Sequence, residues 1–113
     1  MSQEEISEIE LNIKEARTIV DMGNALERLR DNKDFQKVIM NEYLEREAVR
    51  LVHLKADQNM QSDESQASIL KQMDGIGSLT HFFQVVFQKR HLAEKAIESD
   101  EQTREELMSE DAE

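Results

Sequence analysis

The scarcity of turn-forming residues constrains this 113-residue sequence more than any other feature. It contains no Pro and only 3 Gly. A β-rich fold needs a turn every few residues, and Gly and Pro supply many of those turns. Glu, Gln, Lys, Arg, Leu, Met and Ala dominate instead, and all of them favour helices. The sequence therefore predicts an all-α protein with the length of one domain and one modest core.

The first helix is predicted from apolar residues at alternating spacings of three and four, which are Ile6, Ile9, Ile13, Ala16 and Val20. This seam predicts either packing within the protein's own bundle or pairing with another chain. The next apolar set lies about 120° further round the helix, and it comprises Ile19, Met22, Leu26 and Leu29. Because Gly often ends a helix and Asn often begins one, we expect a kink or turn at Gly23 and Asn24.

Two further long helices complete the expected small bundle of about four helices. The third begins after an Asn32 cap and ends near Ala56, and its apolar residues change face along its length at 100° per residue. The last begins after Ser62 and runs to about residue 97. We therefore expect a helical domain over residues 1–97 and an acidic, flexible tail over residues 98–113, in which Ser99 could cap a short terminal helix.

The charge of the chain is concentrated at its two ends. The net charge is −11, of which residues 1–10 contribute −4 and residues 98–113 contribute −7, whereas residues 11–97 sum to zero. Direct binding to nucleic acid needs a basic patch, so this distribution disfavours it. The acidic N-terminus differs from the basic start of a signal peptide, and no apolar run approaches the length of a membrane span. We expect synthesis in the cytoplasm and no membrane partner.

The residues that support most enzyme and metal chemistry are missing or badly spaced. Without Cys the chain has no thiolate ligand or nucleophile. His81 and His91 are ten residues apart on one predicted helix, about 280° apart around its axis. No glycine-rich phosphate loop or nucleophile elbow occurs. The sequence therefore predicts a protein that is not an enzyme and needs no cofactor or metal.

The last helix is expected to carry two apolar faces. Its main stripe comprises Ile69, Met73, Ile76, Leu79, Phe83, Val86 and Phe87, and Gly75 and Gly77 within it suggest close helix packing. A second strip, formed by Val85, Leu92 and Ala96 with Phe82 beside it, lies near the opposite side. A helix in a lone bundle needs only one apolar stripe. We predict that the second strip binds a different molecule; the alternative is that the first helix covers it.

Basic side chains follow one strip of the third helix, at positions i, i+4 and i+7: Arg46, Arg50 and His53. Pairing within the helix is one interpretation, because Glu42 precedes Arg46 by four residues. The other interpretation is a cluster that binds a carboxylate-rich partner, including the acidic end of another copy. Both remain open at this level.

Several short segments carry a resemblance to a group of phage proteins. They are Asn32-x-Asp34-Phe35-x-x-Val38-Ile39, Tyr43-x-x-x-Glu47-Ala48-x-Arg50-Leu51-Val52-x-Leu54-x-Ala56-Asp57, Asp74-x-Ile76-Gly77-x-Leu79-x-x-Phe82-Phe83 and Glu101-x-x-Arg104-Glu105-Glu106-Leu107. In these segments the chain resembles small, mostly uncharacterised helical proteins that tailed bacteriophages encode among their virion structural genes. The resemblance spans most of the chain and implies a context, the phage particle or its assembly, rather than a mechanism.

Three functions follow as expectations. The first is a virion structural or assembly component, present in several copies or as a homo-oligomer, that binds a larger capsid, portal or tail protein through apolar helix faces. The second is an acidic inhibitor that mimics DNA and blocks a host nucleic-acid enzyme. It ranks lower because mimicry needs charges spaced along a rigid surface, and flexible acidic ends are expected here. The third is a transient scaffolding protein.

Overall fold

Helices account for nearly all of the computed structural model, which describes residues 2–112 and the side chains of residues 3–110. Helix α1 spans Ser2–Asp31. A second run of helix comprises α2 (Lys33–Phe35), a π-helix (Gln36–Glu47) and α3 (Ala48–Ala56). A short 3₁₀ helix (Gln58–Met60) precedes α4 (Asp63–Ala112). No strand occurs among the described residues, so the predicted all-α class and long C-terminal helix are confirmed.

Three long helical runs replace the four that were expected. Helix α1 passes through Gly23 without interruption, so the predicted break there is wrong. Helix α4 likewise continues past residue 97 and includes Ser99, so no separate terminal helix forms. The mobility of the acidic segment in the free protein stays a prediction, as does its separation from a domain over residues 1–97.

The reason for Gly23 is close packing rather than helix termination. Its position is buried, and a Cβ built on Gly23 would lie 2.6 Å from Cβ of Arg90. Real Cβ atoms do not approach that closely, so only glycine allows α4 to lie this near α1. The helix tolerates the glycine because the intrinsic penalty is only about 1 kcal/mol.

The predicted turns before and after the middle helical run are confirmed by their caps. Asn32 precedes α2, and its Oδ1 accepts a hydrogen bond of 3.0 Å from the backbone N–H of Phe35. Oγ of Ser62 accepts one of 3.1 Å from the backbone N–H of Ser65. Each cap satisfies an amide that the first helical turn leaves without a partner.

The chain divides into two compact units, and α1 and α4 each contribute to both. Unit 1 combines α1 up to Leu26 with α4 from Val85 onward, and unit 2 runs from Glu27 to Gln84. Unit 1 holds 15 acidic and 6 basic residues, whereas unit 2 holds 10 acidic and 8 basic residues. The net charge is therefore −9 in unit 1 and −2 in unit 2.

The core of unit 2 forms where α3 packs on the first half of α4. Leu51, Ile69 and Ile76 are buried there, and Leu51 is fully inaccessible to solvent. Partly buried side chains surround them, namely Tyr43, Leu44, Ala48, Leu54, Met60 and Met73. Burial of each large aliphatic side chain contributes roughly 1.5–3 kcal/mol. This cluster is the main source of hydrophobic stabilisation in unit 2.

The π-helix explains why apolar residues drift round the third predicted helix. Partly buried positions recur every four residues, as at Phe35, Ile39, Tyr43 and Glu47. In an α-helix each step of four residues advances 40° beyond a full turn. The i→i+5 hydrogen bonds of a π-helix place more residues in each turn, so the same step of four residues falls short of a full turn and the α-helical drift does not accumulate. The face that this stretch presents therefore differs from the one expected at 100° per residue.

Unit 1 is an antiparallel pair of helices. Gly23 of α1 lies against Arg90 of α4. Arg17, six residues before Gly23, donates a hydrogen bond to Glu101, eleven residues after Arg90. The two helices therefore run in opposite directions. The buried side chains of this unit range from small to large, and they are Ile13, Ala16, Leu26, Val86 and Ala93. The predicted Ile6-to-Val20 seam is buried or partly buried throughout, which confirms that it packs within its own chain.

Candidate interaction surfaces

A groove between α1 and α4 marks one face of unit 1, with a volume of about 470 Å³. We call it the Leu92 groove, and it is lined by Asn12, Glu15, Ala16, Ile19, Lys89, Leu92, Ala93 and Ala96. The small side chains of Ala16, Ala93 and Ala96 leave the space between the helices unfilled. Packed interiors leave few such voids. The groove is therefore a place where another apolar side chain could insert.

Large apolar side chains stand exposed beside this groove. Leu92 is 65% exposed and Ile19 is 40% exposed. Leu92 also borders a second hollow, which is lined by Phe87, Gln88 and His91. Complete burial of a leucine side chain contributes roughly 1.5–3 kcal/mol relative to full exposure, so part of that free energy remains available to a binding partner.

Two of the four residues predicted to form the second strip meet in the groove. Leu92 and Ala96 line it, and α1 does not cover Leu92. Val85 is partly buried within unit 1. Phe82 lies in unit 2, where its ring is 6.2 Å from that of Phe83, and is more than half exposed. Binding of a partner by these four residues stays a prediction.

Sequence reasoning missed the contribution of α1 to this surface. Asn12, Glu15, Ala16 and Ile19 form one wall of the groove, and of these only Ala16 had been considered for contact with another chain, as part of the seam. The available signal was the second apolar set of α1, which begins at Ile19. That set was interpreted as a change of direction in the chain, whereas its members lie along one continuous helix.

A second exposed apolar surface lies on α3. We call it the valine face, and it comprises Val49, Val52 and Ala56, at positions i, i+3 and i+7. Val49 and Val52 are each 56% exposed, whereas Leu51 between them is fully buried on another side of the helix. Valine is a weaker helix former than Ala, Lys or Glu, so local helix stability does not explain two valines at exposed positions.

The predicted basic strip beside the valine face is paired within its own helical run. Nη1 of Arg46 lies 3.5 Å from a carboxylate oxygen of Glu42. Arg50 donates to both carboxylate oxygens of Glu47, from Nε at 3.0 Å and from Nη2. These hydrogen bonds lower the pKa of Glu47 and raise the pKa of Arg50. Binding of a carboxylate-rich partner by this strip stays a prediction.

His53 completes the strip and differs from the two arginines. Its side chain is exposed, and among the described residues that side chain has no hydrogen bond or ion pair. It lies four residues after Val49 and one after Val52, so it borders the valine face. The strip therefore gives that face a polar, basic edge.

The two acidic segments lie at the same end of unit 1. The Arg17–Glu101 ion pair, at 3.2 Å, joins α1 and α4 near this end. Extending both helices from this pair brings the Glu-rich first turns of α1 alongside the last turns of α4. Ile6 and Ile9 of α1 and Leu107 of α4 are partly buried, as continued packing requires. The acidic residues of this end are thus held on two adjacent helices.

Other kinds of site were sought among the described residues. Between residues 2 and 112, no group of three or more His, Asp or Glu side chains is arranged to hold a metal ion. Over the same stretch, none of the helices combines the length and apolar character needed to cross a bilayer. No protein family, curated protein or solved structure gives a significant match to the chain.

Proposed function

We propose that this protein is a non-enzymatic structural or assembly component of a bacteriophage particle, bound to a larger capsid, portal or tail protein through the valine face. The observation that carries the proposal is the exposure of Val49 and Val52 on a helix that buries Leu51 completely. The phage context is supported by the resemblance of the sequence to small helical virion-associated proteins.

The chemistry of the valine face suits a helix-in-groove contact. Apolar side chains at i, i+3 and i+7 form the pattern with which an amphipathic helix enters an apolar groove. Because β-branched side chains already have restricted rotamers, they lose little side-chain entropy on binding. The polar edge formed by Arg46, its partner Glu42 and His53 favours polar groups on the rim of the partner's groove, which would set orientation more than affinity.

The charge distribution supports a protein partner rather than nucleic acid. Unit 1 has a net charge of −9, so phosphates are repelled from that part of the chain. We propose synthesis in the host cytoplasm followed by incorporation into the particle in several copies.

The test is to localise the chain in purified particles. The double substitution Val49→Asp with Val52→Asp should leave helical content unchanged and reduce the amount of this polypeptide in particles, measured by quantitative mass spectrometry, by at least tenfold. Leu70→Asp, at a 46% exposed position of α4 in unit 2, is the matched control and should be incorporated normally. Equal incorporation of both variants would contradict the proposal.

A comparison of precursor shells with finished particles separates a permanent component from a scaffold. A permanent component is present in both at the same copy number. A scaffolding protein is abundant in precursor shells and absent from finished particles, and that result would replace the structural version of the proposal with the assembly version.

The second candidate, an acidic inhibitor that mimics DNA, is favoured by one observation. The acidic segments lie on two packed helices at one end of unit 1, which meets part of the requirement for charges on a rigid surface. A complex with a basic host nucleic-acid enzyme that weakens steeply with salt, and that is lost on Glu105→Lys with Glu106→Lys, would favour this function over the first.

A further inference from the structure

We propose that a second copy of this chain covers the Leu92 groove, so that two α1–α4 hairpins pack face to face about a two-fold axis. This goes beyond the proposed function, because such a dimer forms from the purified chain alone and involves a different surface from the valine face.

The shape of the groove fits a side chain that the groove itself carries. Its floor is made by Ala16, Ala93 and Ala96, and its rim carries Leu92. In packed helices, a large side chain of one layer enters a hollow between smaller side chains of the next. A two-fold contact is reciprocal, so Leu92 of each copy can enter the hollow of the other. Each copy therefore supplies both the inserted side chain, Leu92, and the hollow that receives Leu92 of the other copy.

The charges that line the groove select a second copy over an unrelated apolar partner. Glu15 and Lys89 are the charged residues of the lining, and they have opposite signs. Among the described side chains, neither forms an ion pair or a hydrogen bond within its own chain. A two-fold axis midway between them places Glu15 of each copy on Lys89 of the other. The contact then gains two ion pairs and leaves no charge of the groove without a partner.

This pairing also sets the crossing of the two hairpins. Because Arg90 lies against Gly23, the neighbouring Lys89 is level with Asn24, nine residues from Glu15 along α1. The offset is about 14 Å along the groove, against 8–10 Å between the helix axes. The two-fold axis then lies roughly 60° from the hairpin direction, and the long axes of the two copies cross at about 70°. Such a crossing moves the acidic ends of the two copies apart by more than the Debye length of about 8–10 Å.

The overlap of two crossed hairpins sets the expected strength. Each hairpin is two helices wide, about 20 Å, so the crossed faces cover about 500 Å² per copy. The total of about 1,000 Å² is close to the lower limit for a specific interface. We therefore expect a reversible dimer with a micromolar dissociation constant rather than an obligate one.

The first experiment is sedimentation velocity on the purified full chain from about 1 to 200 µM. The wild-type protein should change from monomer to dimer within this range. Leu92→Asp should remain monomeric throughout, with unchanged helical content and melting temperature because Leu92 is 65% exposed. The matched control Leu70→Asp should dimerise as the wild type does. A wild-type chain that is monomeric at every concentration would overturn the proposal, as would a dimer that survives Leu92→Asp.

The second experiment exchanges the charges between two copies. Glu15→Lys alone places Lys on Lys89 twice, and Lys89→Glu alone places Glu on Glu15 twice. Each variant should dimerise about three- to tenfold more weakly than the wild type, since exposed pairs contribute roughly 0.2–1 kcal/mol each. An equimolar mixture restores both attractive pairs and should form heterodimers, detected by native mass spectrometry, in preference to either homodimer. A mixture with no such preference would overturn the reciprocal contact.

The two proposals fail separately. A chain that enters particles normally but never dimerises overturns the inference and leaves the proposed function in place. A chain that dimerises as described but is absent from particles overturns the proposed function and leaves the inference in place.

Discussion

Unit 2 and unit 1 are both built from packed helices, but they obtain their cohesion in different ways. Unit 2 places large side chains in one cluster, centred on the fully buried Leu51. Unit 1 also buries Ile13 and Leu26, but it places them beside small residues, such as Ala16, Ala93 and Gly23, that allow two helices to approach closely. The stability of unit 2 therefore depends on the volume of its buried side chains. The packing of unit 1 depends on small residues that leave room for the facing helix. The two units should therefore respond in opposite ways when side-chain atoms are added or removed.

The largest effect is expected from removing volume in unit 2. Leu51→Ala should lower the free energy of unfolding by about 2–5 kcal/mol, because it removes a fully buried side chain and leaves a cavity. The measurement is urea denaturation followed by circular dichroism. The adjacent Val52→Ala is the matched control and should change stability by less than about 0.5 kcal/mol, because Val52 is 56% exposed. Similar losses for both variants would mean that Leu51 is not the centre of this core.

The next effect comes from adding a single methyl group to unit 1. Gly23→Ala should destabilise the protein by about 1–2 kcal/mol, although alanine is the better helix former. The new Cβ would lie 2.6 Å from Cβ of Arg90 and 2.5 Å from its Cδ, and such overpacking costs typically 1–3 kcal/mol. Urea denaturation measures the change. A more stable Gly23→Ala protein would show that the two helices are not packed this closely.

The same substitution in unit 2 should have the opposite sign. A Cβ on Gly77 meets no atom within 4 Å, so Gly77→Ala should gain roughly 0.5–1 kcal/mol from helix propensity and reduced freedom of the unfolded chain. The thermal midpoint should rise by a few degrees. The change in stability for Gly75→Ala should lie between those for Gly23→Ala and Gly77→Ala, because its Cβ would be 3.3 Å from the hydroxyl of Tyr43. If Gly77→Ala destabilised the protein, the contrast between the two units would fail.

The smallest effect is expected at the acidic end of unit 1. The Arg17–Glu101 pair joins side chains that are 61% and 39% exposed, so a double-mutant cycle with Ala at both positions should give a coupling of about 0.2–1 kcal/mol. The coupling should decrease as salt is raised from 0.05 to about 0.5 M, because ions screen exposed charges. A cycle with no coupling at low salt would mean that this pair does not hold the two acidic segments together.

The glycines show where sequence reasoning succeeds and where it stops. The absence of Pro and the rarity of Gly correctly predicted an all-helical chain, and the caps at Asn32 and Ser62 were placed correctly. The role of each glycine was not predictable, because it depends on what lies opposite. Gly23 was expected to break a helix and instead allows close packing, while Gly77 was expected to allow close packing and faces open space.

Helix winding limited the prediction in a second way. At 100° per residue, the apolar residues of the middle run occupy two faces, but the π-helix from Gln36 to Glu47 turns by a smaller angle per residue, so the faces differ from those expected. No residue type in this segment predicts a π-helix rather than an α-helix. For the candidate surfaces, Leu92 and Ala96 could be found from periodicity within one helix. The α1 wall of the groove could not be, because it depends on the register between two helices that are distant in sequence.

The contact between Gly23 and Arg90 also determines which alignment of the hairpin is permitted. Helices with repeated small residues can slide past each other by one turn, about 5.4 Å, and keep similar packing. Gly23 is the sole glycine of α1, so a slide of one turn would press Arg90 against Val20 or Leu26, where a side chain occupies the space. Arg90 is held in its present place by Nη1 donating to Asn24 at 3.2 Å and by its guanidinium lying 5.1 Å from the centre of the Phe87 ring. The contact between Gly23 and Arg90 therefore sets which side chains of α1 and α4 become neighbours. Every surface that the two helices form together depends on that alignment.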